Sequence, residues 1–189
     1  MAKRSFKKAF KVQDEWATPS LLVNMLIPYL RKWEIEFVNK NGYRPLIWLP
    51  FDTEDSQYYK IFKKEGFNVV RSHLNDDKDF FNYQPEQFDI IVSNPPYVTL
   101  EEMKDITREV SMEPPHALTD GGDGLSIIKK IIEHSKTHLK DGAPLAIEIG
   151  WKQGDAVCKI AKENGLVPHL LRDIEDRDRV VIIKRKETV

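Results

Sequence analysis

The sequence is short of cysteine, of long apolar runs and of any excess of one charge, and each shortage closes a class of function. Cys158 is the single cysteine in 189 residues, which excludes an intramolecular disulfide and a Cys-rich zinc site. No apolar stretch approaches the ~20 residues that cross a bilayer, and the charged N-terminus lacks the apolar segment of a secretion signal. A cytoplasmic protein with no membrane partner is expected. Lys and Arg number 29 against 30 Asp and Glu, a net charge of −1, so no global field draws the chain onto nucleic acid and any such contact must be local. The one concentrated basic stretch, Lys3-Arg4-Ser5-Phe6-Lys7-Lys8-Ala9-Phe10-Lys11, reads as a phosphate-binding arm or, more commonly for such runs, a solvated tail. Residues 1–13 are expected to form a flexible tail. His73, His116, His134, His138 and His169 show no metal-ligand spacing and read as surface or loop residues; no metal is expected.

With 41% hydrophobic residues the chain can bury a core, yet it is too short for two full-sized domains, so residues 14–189 are expected to form one domain. Thr18-Pro19-Ser20, followed by Leu21, Leu22, Met25, Leu26 and Tyr29, predicts a capped helix from about Pro19 to Val38, interrupted at Pro28. Leu46 to Leu49 reads as a buried strand stopped by Pro50, and Asp55 to Glu65 as a helix ended by Gly66. Phe67 to Arg71 and Phe88 to Ser93 are the next strands, with a charged, aromatic loop from Asn75 to Gln87 between them. A helix from Gly124 to Leu139, a strand from Pro144 to Ile149 and a helix from Gln153 to Glu163 follow. Val167 to Arg172 and Arg179 to Lys184 are joined too closely for a helical crossover and predict an antiparallel hairpin. The alternation gives an α/β fold with a mostly parallel sheet covered on both faces. Ligands of such sheets collect beyond the carboxyl ends of the strands, where Pro50-Phe51-Asp52 and Asn94-Pro95-Pro96-Tyr97 both fall.

The second of these turns carries a chemical argument. A planar NH2 group is a poor nucleophile because its lone pair is delocalised. Two acceptors that hold its hydrogens draw the lone pair out of the plane, and Asn94 Oδ1 with the Pro95 carbonyl suits that task. Pro95 and Pro96 stiffen the turn and reduce the entropy lost on binding, and Tyr97 offers a face for a planar base or amide. The turn resembles the Asn/Asp/Ser-Pro-Pro-Tyr/Phe motif of the AdoMet-dependent amino and amide methyltransferases, which implies a Rossmann-like class I fold, S-adenosyl-L-methionine as cofactor and catalytic roles for these four residues.

From Phe88 to Lys184 the chain resembles the catalytic domain of release-factor glutamine methyltransferases: Asn94-Pro95-Pro96-Tyr97-Val98, Glu109-Val110, Glu113-Pro114, Ala117-Leu118, Asp120-Gly121-Gly122-Asp123-Gly124-Leu125, Glu148-Ile149-Gly150-Trp151, Gln153-Gly154 and Arg177-Asp178-Arg179-Val180 occur in order. The resemblance implies that Glu113 and Asp120 shape the substrate pocket; Asp120 reads equally as the cap of a Gly-rich helix entry. From residue 14 to 97, Asp14-Glu15-Trp16-Ala17-Thr18-Pro19, Pro50-Phe51-Asp52-Thr53-Glu54 and Lys78-Asp79-Phe80-Phe81 resemble small phage-type adenine DNA methyltransferases. That likeness assigns Thr18, Pro19, Pro50, Phe51, Asp52, Asp79 and Phe80 to the cofactor site, although Thr18-Pro19 also reads as a plain helix start and Phe80 and Phe81 as core. Two halves resembling different families is the pattern of a hybrid or engineered chain.

The chain departs from both patterns. The glycine-rich loop expected after the first strand is replaced by Leu49-Pro50-Phe51-Asp52-Thr53, and the second strand ends Arg71-Ser72-His73, with no acid for the ribose hydroxyls. About fifteen residues separate Arg71 from the next strand, fewer than a helical crossover with its strand takes, so the fold is expected to be shortened there. Three functions follow. The first is methyl transfer to the side-chain amide of a protein glutamine, with a peptide chain release factor as substrate; the second is methyl transfer to the amino group of a flipped DNA adenine, with Lys3 to Lys11 on phosphate. The third is a methyltransferase-like module that binds AdoMet weakly or not at all.

Overall fold

The computed structural model describes residues 20–50, 52, 54–72, 87–104 and 118–185. The expected tail and nearly all of the expected loop from Asn75 to Gln87 lie outside them. The order of elements is α1 (Ser20–Asn41), β1 (Ile47–Pro50), α2 (Gln57–Lys64), β2 (Val69–Ser72), β3 (Ile90–Ser93), a 3-10 turn (Glu102–Lys104), α3 (Ser126–His138), β4 (Leu145–Glu148), α4 (Gly154–Glu163), β5 (Leu166–Arg172) and β6 (Asp178–Arg185). The six strands form one sheet in the order β2-β1-β3-β4-β6-β5. Parallel pairing joins β1 to β2 and β3, and β3 to β4, whereas β6 runs antiparallel to β4 and β5. The predicted mixture of parallel strands and a closing antiparallel hairpin is therefore present.

Every residue of β1, β3 and β4 is buried, as expected of strands covered on both faces. On one face α1 and α2 bring Val23, Leu26, Leu30, Tyr58 and Phe62 onto Ile47, Leu49, Val69, Ile90, Val92 and Ala146. On the other, α3 and α4 pack Ile128, Ile131, Ile132, Val157 and Ala161 against Trp48, Ile91, Leu145, Ile147 and Val181. Trp48 stacks on Phe88 with ring centroids 4.5 Å apart, and its indole N–H donates to Ser72 Oγ at 3.0 Å. No described helix is long and apolar enough to cross a membrane.

Two sequence expectations are corrected. The first helix runs unbroken through Pro28: Pro28 and Asn24, whose carbonyl loses its helical donor, are both exposed, so water satisfies that group and the helix persists. His138 is not a surface or loop residue. It is buried in the last turn of α3, edge-on to the Trp48 ring at 5.5 Å. Of the remaining histidines, His134 is half-buried and His169 exposed, while His73 and His116 lie outside the described residues. A smaller difference concerns Pro50, which is the final residue of β1, paired with Ser72, rather than a stop beyond it.

Parallel pairing places the ends of β1, β3 and β4, at Pro50, Ser93 and Glu148, on one edge of the sheet. The chain leaves β1 toward β2 on one side and returns to β3 on the other, which puts the topological switch point, where a crevice opens in such sheets, between β1 and β3. The β5–β6 turn, at the same edge, is organised by Asp173. Its carboxylate accepts the Glu175 and Arg177 amides at 2.8 and 3.1 Å and the Arg177 and Arg179 guanidinium groups at 3.0 Å each.

Partial burial alone would raise the Asp173 pKa, but the Arg177 amide, the Arg179 guanidinium and the other two donors outweigh it and hold the carboxyl at about 2. That lies below the unfolded value of about 3.9, so the turn's contribution is fully present above about pH 4 and is lost as pH falls through 2. Asp173→Asn is expected to lower the urea-denaturation free energy by on the order of 2 kcal/mol at neutral pH, with wild type and variant converging toward pH 2. A constant difference across that range would contradict this account.

Candidate active site

The four residues of the proline corner leave the end of β3 with graded exposure: Asn94 is exposed, Pro95 is buried, and Pro96 and Tyr97 are half-buried. The corner thus presents its first residue to solvent while its body is packed. Four contacts hold that body. The Tyr97 carbonyl accepts the Gln153 side-chain amide at 3.0 Å, and Gln153 Oε1 in turn accepts the Gly150 amide at 2.9 Å. The Val98 amide donates to the Leu118 carbonyl and the Leu100 amide to the Gly122 carbonyl, both at 2.9 Å. Segments that follow β3 and β4, and the entry to α3, are thereby tied into one unit.

Gly124 also packs against the Tyr97 carbonyl. Its φ is +73°, and a Cβ placed there would lie 2.1 Å from the Tyr97 carbonyl oxygen, so the approach requires glycine. The surrounding turn is shaped by Asp120, which accepts the Gly122 and Gly124 amides at 2.9 Å each with one oxygen. The other takes the Ser126 amide at 2.9 Å and the Ser126 hydroxyl. Partial burial opposes ionisation of Asp120, but the Ser126 hydroxyl and the three amides outweigh it and lower the pKa. Asp120 therefore stands as the cap of the Gly-rich turn, one of the two roles expected for it, and acts on the corner through Gly124.

Tyr97 is fixed at its far end as well. Its hydroxyl donates to Glu148 Oε1 at 3.1 Å, and the Tyr58 hydroxyl, from α2, donates to Glu148 Oε2 at 2.8 Å. Glu148 is buried at the end of β4. Burial, then the Glu148 charge, pushes both phenol pKa values well above the usual range, with Arg179 partly offsetting the effect at Tyr97. Both tyrosines are thus held protonated, as donors.

At the neighbouring strand end Pro50 is buried and Asp52 half-buried, with the Asp52 amide donating to the Ser72 carbonyl at 3.0 Å. The structure therefore brings Pro50, Asp52, Asn94, Pro95, Pro96, Tyr97 and Asp120 to one edge of the sheet. Thr18, Pro19, Phe51, Asp79, Phe80 and Glu113 lie outside the described residues. Sequence reasoning gave no role to Glu148, Tyr58, Gln153 or Gly124. The available signal for Glu148 was an acid closing the buried run Leu145-Ala146-Ile147, a position at which a charge demands partners.

Residues 31–142 match the model of the Eco57I restriction-modification methylase family, across both segments that resembled different methyltransferases. The release factor glutamine methyltransferase of Bacillus subtilis (strain 168) is 43% identical over 122 residues, covering 63% of this chain and 42% of that protein. The chain spans less than half the length of the curated relatives it matches. Among solved structures, Streptomyces venezuelae DesVI superposes with a TM-score of 0.53 at 10% identity, covering 96% of each chain. The 1,6-didemethyltoxoflavin-N1-methyltransferase of Burkholderia thailandensis, with bound S-adenosylhomocysteine, superposes at 0.50 with 9% identity over 94% of each chain. The fold is that of the class I methyltransferases.

Gly124→Ala is expected to destabilise the protein by more than Gly142→Ala. Both positions have positive φ, +73° and +75°, but a Cβ at Gly142 meets nothing within 4 Å. The control should lose about 1–2 kcal/mol for the backbone conformation alone. Equal losses in chemical denaturation would show that the close approach to Tyr97 carries no weight.

Proposed function

We propose that this chain, which belongs to the Eco57I restriction-modification methylase family, is an AdoMet-dependent N-methyltransferase acting on a planar NH2 group, the side-chain amide of a protein glutamine in the first place. The observation that carries the reading is the corner itself: an exposed Asn94 on a packed, proline-braced turn at the carboxyl edge, beside the switch point of the sheet.

The residues present fit the cofactor. Its sulfonium is a cation, and two acids, half-buried Asp52 and buried Glu148, stand at this edge. Ser93 Oγ, the one buried side-chain polar atom among the described residues without a hydrogen-bond partner, closes β3 directly before Asn94 and leaves an acceptor or donor for a ligand. Pro50 and Asp52 would hold the cofactor, together with Thr18, Pro19, Phe51, Asp79 and Phe80 by resemblance. Bound AdoMet supplies an electrophilic methyl group on sulfur.

The chain's own residues supply orientation. Asn94 Oδ1 and the Pro95 carbonyl accept the two amide hydrogens and turn the nitrogen lone pair out of conjugation, and the Tyr97 ring flanks the planar group. Attack by that nitrogen in line with the sulfur would take the methyl group and leave the cofactor as a neutral thioether. The surplus amide proton then leaves to solvent. No protein base is required, so the rate gain comes from holding the reactants in line.

Release factor is the substrate favoured by the glutamine methyltransferase relatives and by a net charge of −1. Amino-group methylation of DNA adenine is the second reading, favoured by the restriction-modification family; it uses the same corner and draws on Lys3 to Lys11 for phosphate contacts. A cytoplasmic location accords with either. Radiolabelled methyl transfer to release factor or a Gly-Gly-Gln peptide, run beside unmethylated DNA, decides between them. Asn94→Ala is expected to lower turnover at least ~100-fold by removing one of two orienting acceptors. Retained activity in that variant would refute the role given to the corner.

A further inference from the structure

We propose that Glu148 is a positioning residue that couples the β1–α2 segment, the expected cofactor side, to the proline corner on the acceptor side. The inference rests on the AdoMet-dependent reading above. Tyr58 is the second residue of α2, so it sits directly after the connection that begins at Pro50 and contains Asp52. Its hydroxyl reaches one oxygen of Glu148 at 2.8 Å, while the hydroxyl of Tyr97 reaches the other at 3.1 Å. One carboxylate thus joins elements that are 90 and 51 residues away in sequence.

A carboxylate that followed one tyrosine alone would give up the hydroxyl of the other in a buried site, where Glu148 is only 2% exposed. Desolvation makes that loss expensive. The bridge therefore transmits position. A ligand bound beside Asp52 shifts Tyr58, and through Glu148 the shift reaches the ring that flanks the methyl acceptor. The Asp52 charge already acts on Tyr58, which places the two within electrostatic reach.

The test uses the full chain labelled with 13C in its tyrosine rings, six in all, with S-adenosylhomocysteine as probe. The Tyr97 resonance is assigned by its loss in Tyr97→Phe. In wild type it should move on saturation with the probe. In Tyr58→Phe, which keeps the ring packed on Phe62 at 5.8 Å, probe affinity should stay within about threefold while the Tyr97 shift disappears. Glu148→Gln should retain the shift, because its amide accepts from one hydroxyl and donates to the other. In turnover, Tyr58→Phe should lower kcat about tenfold with KM for the peptide within twofold, and combining it with Tyr97→Phe should cost no more than the worse single change.

A Tyr97 shift that survives in Tyr58→Phe overturns the coupling, as does a wild-type resonance that ignores a bound probe. If the shift behaves as expected but no methyl reaches peptide or DNA, the coupling stands and the proposed function falls. If the probe does not bind, both are overturned.

Discussion

The Tyr97 carbonyl is gripped from two sides, by the Gln153 amide at 3.0 Å and by a glycine backbone so near that a Cβ would overlap it. The geometry of the carboxyl edge depends on that grip. It fixes the peptide plane immediately after two prolines, whose φ angles are already restricted, so little freedom remains between the end of β3 and Val98. Acceptors aimed at a planar NH2 group are useful only if they hold their direction before the substrate arrives, since any reordering at that moment subtracts from the gain of orientation. A turn stiff by covalent structure, then clamped at its carbonyl and at its tyrosine hydroxyl, meets that condition.

The clamp is itself secured by polar groups that a protein interior tolerates only in matched sets. Glu148 carries a carboxylate into the sheet's edge and finds two phenolic donors; Asp120 gathers three amides and a hydroxyl; Asp173 gathers two amides and two guanidinium groups. Each acid closes a strand or shapes a turn on the same edge: Asp120 and Asp173 gather donors from within their own turns, and Glu148 joins segments far apart in sequence. The hydrophobic core decides that the strands stack. These three carboxylates decide how the connections beyond the strand ends are oriented, which is the part that chemistry reads.

Strands were legible because a sheet covered on both faces needs apolar residues at every position, and Ile47-Trp48-Leu49, Ile90-Ile91-Val92 and Leu145-Ala146-Ile147 supply them without a break. The hairpin followed from a connection too short for a crossover. Reading Pro28 as a break failed because the rule concerns a lost hydrogen bond, and whether water replaces it depends on which face of the helix the proline occupies. His138 was misplaced although its spacing carried the answer: it continues the face of Ile128, Ile131, Ile132 and Ser135 at helical intervals. The proline corner was visible as a contiguous string. Its supports were not, since Tyr58 spaced four residues from Phe62 reads as ordinary core and Glu148 as the end of a strand. Only the folded chain shows that they meet.

Whether such a corner serves a protein amide or a nucleobase is decided by what surrounds it, because both present the same flat nitrogen. A duplex must be held through its phosphates before a base is extruded, and that affinity comes from clustered Lys and Arg. Among the described residues, the segments that follow β3, β4 and β5 carry Glu101, Glu102, Asp120, Asp123, Asp173, Glu175 and Asp176 against Lys104, Lys152 and Arg177, and Arg177 is already engaged by Asp173. The same segments expose Leu100, Trp151 and Ile174, apolar groups suited to the uncharged loop of a protein and of little use against a polyanion. If the corner methylates as proposed, the charge and apolar groups of the described surface suit a protein loop better than a duplex, and the basic stretch from Lys3 to Lys11 would have to supply the phosphate contacts that DNA requires.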